Sequence, residues 1–263
     1  MGARTGRFSC KQPNVQQIPA RSELGKKLRS AFVAEPGNKL VVADYGQMEL
    51  RVLAHYTQDS SLLEAYQNGV DLHTLTASQV FGKQESEVTK AERSIAKTIN
   101  FGVAYGITPR GLFNQLSSAG IEANESQCEK FIRDYFKTYK GVRRWLDNTE
   151  RTARTQGYVT NLFGRRRRLV GRDSRAARQA CNFPIQGTAA DICKEAMVKV
   201  HESLPSGAHI IAQVHDELII ECRAEDADSV CPMVKEIMER APEGFTVPLE
   251  VDAKVVDNWS EAK

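Results

Sequence analysis

Two aspartates stand where apolar runs stop. Asp44 follows Leu40-Val41-Val42-Ala43, a run that reads as a buried strand. Asp216 follows the apolar run 209–214, lies within His215-Asp216-Glu217, and is succeeded by Leu218-Ile219-Ile220, so this stretch reads as a hairpin with acids at its tip. Lone carboxylates are seldom fully buried, so each acid is either a turn residue at a strand end or a ligand. Two strand-end aspartates far apart in sequence can meet in space and hold a divalent pair, which clamps the attacking and leaving oxygens of phosphoryl transfer. Hard oxygen ligands suit magnesium. Between the acids, Arg93, Lys97 and Phe101 recur at i, i+4 and i+8 and share one face of a helix. Two cations and an aromatic on one stripe suit a triphosphate carrying a base or sugar. The same spacing also describes a solvated basic face anchored by one phenylalanine.

The elements that must position these groups follow from periodicity and punctuation. Strands at 40–44, 209–214, 217–222 and 247–256 can form one antiparallel sheet with helices behind it, an α+β arrangement. Apolar positions from Leu50 to Tyr66 suit helices packed behind the first strand. Asp71 is placed to cap the next helix. Residues 85–90 form a polar link into the helix carrying Arg93, which should finish near Gly102 or Gly106. Thr108-Pro109 and Asn124 open two further helices, another ends around Gly157, and a short hairpin is expected over 158–169. Residues 71–182 thus read as a helical insertion between the acid-bearing strands. Pro184 interrupts the helical pattern, and Thr188 with Asp191 restarts it to about residue 204. A helix over about 224–240 precedes the last strand.

Two stretches are rich in cations. Residues 1–40 carry Arg4, Arg7, Lys11, Arg21, Lys26, Lys27 and Arg29 without strong periodicity, and read as extended chain lying over a surface. Arg165, Arg166, Arg167, Arg168, Arg172, Arg175 and Arg178 put seven arginines into fourteen positions with Asp173 as the one acid among them. A solvated turn is the plain reading. With one acid among seven arginines, contact with a phosphate backbone is the favoured one, and it would make binding steeply salt-dependent.

Composition narrows the class without deciding the activity. The 263 residues can bury one large core or two small ones, and 41% hydrophobic with 26% charged residues is ordinary globular composition. A net charge of +3 permits a nucleic-acid partner without demanding one. The six cysteines include no Cys-x-x-Cys pair, so neither a zinc site nor a disulfide framework is suggested. They fit a reducing compartment, and with no apolar run near the roughly 18 residues of a membrane span, a cytoplasmic protein without a membrane partner is expected.

The stretches taken in order resemble motifs A, B and C of the family A DNA polymerases, the bacterial DNA polymerase I group. The family's Asp-Tyr-Ser-Gln-Ile-Glu-Leu-Arg is matched by residues 44–51 except at Gly46 and Met48. Its Arg-x-x-x-Lys-x-x-x-Phe-Gly-x-x-Tyr-Gly is met by Arg93, Lys97, Phe101, Gly102, Tyr105 and Gly106, and its His-Asp-Glu by His215, Asp216 and Glu217. Further likeness runs through Gly6-Arg7-Phe8-Ser9, residues 13–19, Asp71-Leu72-His73-Thr74 and residues 184–191, so it covers essentially the whole chain.

The resemblance implies a right-hand polymerase. Residues 1–70 would be the first part of the palm, 71–182 the fingers and 183–263 the second part of the palm. Asp44 and Asp216 would bridge two magnesium ions, with the Tyr45 carbonyl as a further ligand, in nucleotidyl transfer from deoxynucleoside triphosphates to a primer 3′ end. Arg93 and Lys97 would hold the triphosphate, with Lys97 able to protonate the leaving pyrophosphate. His73, Phe101, Tyr105 and Gln47 would line the nucleotide site. Glu49, read as lying on the first strand, would wall off the sugar 2′ position. Arg7, Asn14, Gln16, Arg178, Asn182, Gln186 and His215 would touch primer and template. Glu217 is either a direct metal contact or a solvent-facing acid that tunes the site. Gly46 in place of Ser is expected to loosen the strand end, and Ser94 removes a second arginine that many members carry.

Family members carry a thumb before the Gly6-Arg7 stretch and often a proofreading exonuclease before that. With Met1 a few residues upstream, this chain is expected to lack both and to be weakly processive. Three alternatives stay open. The chain is a catalytically incomplete primer-template-binding subunit of a split enzyme, whose thumb and exonuclease arrive on a separate polypeptide. It is a two-metal nuclease, which has no need of the Arg93-Lys97-Phe101 helix. Or it is an RNA polymerase, which Glu49 disfavours.

Overall fold

The structure is a computed structural model that describes residues 3–20, 22–171 and 173–262, apart from the side chain of Ala104. Arg21 and Arg172 of the two basic stretches lie outside the described residues. The strands are β1 (Asn38–Tyr45), β2 (Tyr158–Thr160), β3 (Arg166–Arg168), β4 (His209–Val214), β5 (Glu217–Arg223) and β6 (Val251–Val256). Five helices come first, α1 (Glu23–Arg29), α2 (Met48–Thr57), α3 (Ser60–Gln67), α4 (Leu72–Phe81) and α5 (Lys90–Ala104). Five more follow, α6 (Pro109–Ser118), α7 (Glu125–Thr138), α8 (Lys140–Gln156), α9 (Ser174–Ser203) and α10 (Ala227–Glu239).

These elements fall into two compact units. One holds the residues up to Met48, Gly187–Gly244 and the residues from Leu249 onward; the other holds Glu49–Gln186 with Phe245–Pro248. The first unit is built on an antiparallel sheet in the order β4-β5-β1-β6. Leu40 and Val42 of β1 share one face and join Val214, Ile219, Val256 and Trp259 in a single core cluster. Val41 and Ala43 face the other way and are equally buried, on a sheet against which α10 packs. Burial on both faces explains why this strand reads as an unbroken apolar run. At its end Tyr45 pairs with Val251 of β6.

The second unit is helical apart from the β2–β3 ribbon. Its helices start where side chains can cap them: Asp71 accepts from the His73 amide, Thr108 from Gly111, and Asn124 with Gln127 forms a reciprocal capping box. Gly157, at φ 72°, ends α8 in the left-handed region. Asp59 joins two helices. It is 6% exposed, its Oδ1 accepts from the Ser61 amide at 3.2 Å and its Oδ2 from the Gly141 amide at 2.7 Å. A Cβ on Gly141 would stand 2.8 Å from Oδ2, so glycine is what lets α8 come this close. Asp59→Ala removes a cap and leaves the Gly141 donor buried without its acceptor, and is expected to lower unfolding stability by about 2–4 kcal/mol. Urea denaturation checks this.

Several boundaries differ from the sequence reading. The units part after Met48 and after Gln186, rather than at 70 and 182, because α2 and α3 belong with the helices: Tyr56 packs on Trp145 and Asp59 bonds Gly141. Residues 1–40 are not wholly extended but contain α1, capped by the Ser22 hydroxyl. The last strand begins at Val251, not 247. Pro184 does not break the chain; α9 runs through it for 30 residues. Proline deletes one helical hydrogen bond and crowds a carbonyl, yet Phe183 and Ile185 beside it are 0% and 1% exposed, so burial of the flanking side chains holds the helix together.

Candidate active site

The sheet of the first unit brings its two strand-end aspartates to one place. Asp44, last but one in β1, stands opposite Glu217, and the two residues joining β4 to β5 are His215 and Asp216. The Tyr45 amide donates to the Asp216 carbonyl at 3.3 Å, which ties the turn to the end of β1. His215 takes φ 59°, a left-handed value uncommon outside glycine but tolerated by histidine, and it stays exposed at the tip. Both aspartates are half-buried. Cys193 of α9 lies close to both, and burial together with the two carboxylates pushes its thiol up to about 12. Tyr45 points to the other face, 4% exposed, with burial raising its hydroxyl pKa. Only its backbone is therefore placed to meet a ligand. Gly46 sits where a Cβ would make ordinary contact, 3.5 Å from the Glu250 carbonyl, and its amide donates to that oxygen at 2.8 Å. The strand end is thus tied down at this position.

Glu217 is not a solvent-facing acid. Its side chain is 1% exposed and points to the same side as Asp44, as directly paired residues do. The Trp259 indole Nε1–H donates to its Oε1 at 2.8 Å. Arg29 Nη1 lies 3.9 Å from the same oxygen, and the guanidinium stacks 3.8 Å over the Trp259 ring while Nη2 donates to the Ile18 carbonyl at 3.1 Å. Burial pulls the Arg29 pKa down, and the charges of Glu217 and Asp44 pull it back up. Sequence reading placed neither Arg29 nor Trp259 at the site. Arg29 was one cation among seven in a lead-in segment, and Trp259 lies beyond the last motif.

The lead-in segment is docked on this unit. Gln16 Nε2 donates to the Gln213 carbonyl at 3.1 Å, two residues from His215, and Asn14 precedes the same 3₁₀ turn. Lys194 of α9 donates to the Gly6 carbonyl and lies 4.8 Å over the Phe8 ring, which fixes the chain around Arg7. Gln47, with φ 54°, makes the turn out of β1. Glu49 does not lie on the strand but in the first turn of α2, where the helix N-terminus favours a carboxylate.

The second unit carries the cationic stripe. Thr89 and Glu92 form a capping box that starts α5, so Arg93, Lys97 and Phe101 follow at one-turn intervals on one face. Arg93 is gripped by Asp71, Nε to Oδ2 at 2.6 Å and Nη2 to Oδ1 at 3.2 Å. Asp71 also caps α4 and accepts from the Thr74 hydroxyl at 2.6 Å. Although burial opposes it, these hydrogen bonds hold the Asp71 carboxyl down at about 2. His73 is 3% exposed beside them. Asn100 Nδ2 meets its Nδ1 at 3.0 Å, the Thr76 hydroxyl donates to Asn100 Oδ1 at 3.1 Å, and Tyr139 meets Thr76 at 2.9 Å. With the amide in this orientation Nδ1 accepts, so the ring proton sits on Nε2.

Burial pushes the His73 pKa down to about 4, with the Arg93 and Lys97 charges adding to the fall and Asp71 opposing it. An imidazole with a lowered folded pKa binds its proton more readily in the unfolded chain. Its share of stability is therefore complete above pH 6.5 and is lost as pH falls towards 4. The His73 ring resonances are expected to titrate with a midpoint near 4, followed by NMR.

The long α9 places Arg178, Asn182 and Gln186 one turn apart on a single stripe. A pocket of about 330 Å³ opens beside it, lined by Phe101, Tyr105, Gly106, Thr108 and Arg178 among others. The Arg178 stem crosses the bare Gly106, where a Cβ would stand 3.1 Å from its Cγ. The arginine cluster is partly structural: Arg166 stacks on Tyr158 at 4.3 Å and Arg167 lies 5.9 Å from the Phe183 ring.

No three His, Cys, Asp or Glu side chains among the described residues gather closely enough to share a metal ion. Two half-buried carboxylates and adjacent backbone carbonyls still fit magnesium, which keeps waters and takes substrate phosphate beside one or two protein acids.

Known proteins give the same pattern an independent frame. Residues 1–261 match the family model described as DNA polymerase family A. The chain is 44% identical over 270 residues to DNA polymerase I of Chloroflexus aurantiacus, covering 99% of this chain and 28% of that protein. It is 45% identical over 267 residues to the thermostable DNA polymerase I of Thermus aquaticus, covering 98% of this chain and 31% of that one. It therefore spans less than a third of the length of these curated relatives. Among solved structures, the POL domain of Pol1 from M. smegmatis, in complex with DNA primer-template and dNTP, superposes with a TM-score of 0.90 at 38% identity. That match covers 99% of this chain and 47% of the other. A family match along nearly every residue, with the motif acids meeting at the end of one antiparallel sheet, places this chain in DNA polymerase family A.

Proposed function

We propose that this chain is the palm-and-fingers part of a template-directed DNA polymerase that adds deoxynucleotides to a primer 3′ end. The first unit corresponds to the palm and the second to the fingers. The observation that carries the reading is the meeting of Asp44 and Asp216, with the Tyr45 amide bonded to the Asp216 carbonyl. The primer-template and dNTP held by the M. smegmatis domain support the same substrates here.

Two magnesium ions, held by Asp44, Asp216 and the Tyr45 carbonyl, would lower the pKa of the attacking hydroxyl and neutralise the departing pyrophosphate. The residues of the chain supply position and charge, the main catalytic means in phosphoryl transfer. Arg93, braced by Asp71, offers its remaining N–H groups to phosphate oxygens, and Lys97 one turn on gives the leaving pyrophosphate a proton. His73 adds an uncharged Nε2–H donor. Phe101 and Tyr105 stack near the new base pair, Gln47 lines the nucleotide site, and Glu49 excludes a 2′-hydroxyl. Arg7, Asn14, Gln16 and His215 on the palm and Arg178, Asn182 and Gln186 along α9 touch primer and template. Minor-groove acceptors occur at every base pair, so such donors check geometry without reading sequence. The free thiols of all six cysteines suit a reducing, cytoplasmic setting.

Extension of a labelled primer with four deoxynucleotides and magnesium tests the reading. Binding of primer-template without extension would replace it with the incomplete subunit of a split enzyme, whose thumb and exonuclease come in trans.

A further inference from the structure

A carboxylate that is 1% exposed beneath a pair of acids needs a reason to be there. Directly opposed like charges destabilise an antiparallel pair, and Glu217 stands directly opposite Asp44. An apolar residue would pack at least as well, since buried ion pairs seldom add net stability. What surrounds Glu217 is shaped for a carboxyl group: the Trp259 indole donates to Oε1 at 2.8 Å and the buried Arg29 guanidinium reaches to 3.9 Å. The two partners brace each other by stacking at 3.8 Å. Each is fixed from elsewhere, Arg29 by the Ile18 carbonyl and Trp259 by its backbone N–H donating to the Phe32 carbonyl at 3.0 Å and its edge contact with the Phe32 ring.

We propose that Arg29 and Trp259 are positioning residues for the catalytic acids: by anchoring Glu217 inside the palm, they fix the turn that carries Asp216 beside Asp44. Glu217 is then the internal strut of the acid pair and not itself a ligand. The inference rests on the polymerase reading above. It also gives the C-terminal 3₁₀ turn Trp259–Ala262 a part in catalysis that no motif announces.

The test uses Trp259→Phe, which keeps a ring under Arg29 but loses the donor, Arg29→Met, and Arg29→Met combined with Glu217→Gln. In the double variant a neutral amide still accepts from Trp259 and no longer needs a cation. The readouts are kcat and KM for dNTP in primer extension, Mn²⁺ affinity without substrate by electron paramagnetic resonance, and thermal melting. Trp259→Phe and Arg29→Met are expected to lower kcat and Mn²⁺ affinity by about 10–100-fold, as loss of groups behind a metal site does, with KM little changed. The double variant should recover most of both. A double variant as inactive as Asp216→Ala would make Glu217 a ligand and overturn the proposal. Lowered melting with kcat and Mn²⁺ affinity unchanged would reduce the anchor to a packing contact, and overturn it equally. Should Arg29→Met not fold, Trp259→Phe decides by the same readouts. If the unmodified chain fails to extend a primer, the polymerase reading falls, while the Mn²⁺ affinities still decide whether the strut shapes the acid pair.

Discussion

Replacing Asp216 by alanine is expected to abolish primer extension, with the single-turnover rate at saturating dNTP falling at least about a thousandfold, while the protein stays folded and still binds primer-template. Chemistry separates from folding here because of where the residue sits. Asp216 is half-buried in a two-residue turn, not in the core. The contact that ties this turn to β1 uses its backbone carbonyl, accepting from the Tyr45 amide at 3.3 Å, and alanine keeps it. A surface-side truncation of this kind ordinarily changes stability by about 0.5 kcal/mol or less. Removing a negative charge beside a phosphate backbone should leave DNA affinity equal or higher. Rapid-quench kinetics paired with a fluorescence binding titration check both halves. A variant that still extends at more than about a tenth of the parental rate would dissolve the two-acid reading of this sheet end.

The fold was legible where one physical signal dominated. Apolar runs marked β1, β4 and β5, the caps Asp71, Thr108 and Asn124 sit where their side chains can accept a helix amide, and Gly157 sits where the chain turns left-handed. Thr89-Lys90-Ala91-Glu92 carried an equally readable capping box at the head of α5, although the stretch reads at first as a polar link. Pro184 misled because proline's local cost is visible in sequence, whereas the burial of Phe183 and Ile185 that outweighs it is tertiary. The continuity of α9 bears on the proposed site, since an unbroken helix is what aligns Arg178, Asn182 and Gln186.

The site divides along the same line. Asp44, Asp216 and the Arg93-Lys97-Phe101 stripe announce themselves, because charges at the ends of apolar runs and cations at helical spacing are odd enough to need explaining. Their partners do not. Asp71 reads as a helix cap, and only the structure adds its bidentate grip on Arg93. Asn100 is one polar residue within a helix until its amide is seen between His73 and Thr76. Arg29 and Trp259 lie 188 and 42 residues from Glu217, too far apart for any local pattern to join them. Groups that act on substrate are typed by their chemistry, whereas groups that act through another residue are typed only by contact.

The second large effect separates the two cations of α5. Lys97→Met is expected to lower kcat by about 10²–10⁴-fold with little change in KM, because the proton that Lys97 would deliver to the leaving pyrophosphate counts in the transition state and not in the ground state. Arg93→Lys is expected to do the reverse, raising KM for dNTP by about 10–100-fold at nearly constant kcat. The geometry gives the reason. Asp71 occupies the Arg93 Nε and Nη2 donors in a fork, and a planar guanidinium can hold that fork while presenting further N–H groups to a phosphate. An ammonium is a point charge and must choose between the two. With the Asp71 carboxyl held at about 2, the fork stays ionised at every pH at which the enzyme could be assayed. The Arg93→Lys effect on KM should therefore be flat between pH 6 and 9, measured by steady-state incorporation of a single nucleotide. If both substitutions depress kcat in parallel and leave KM alone, the two side chains act as one electrostatic clamp, and proton delivery by Lys97 has to be abandoned.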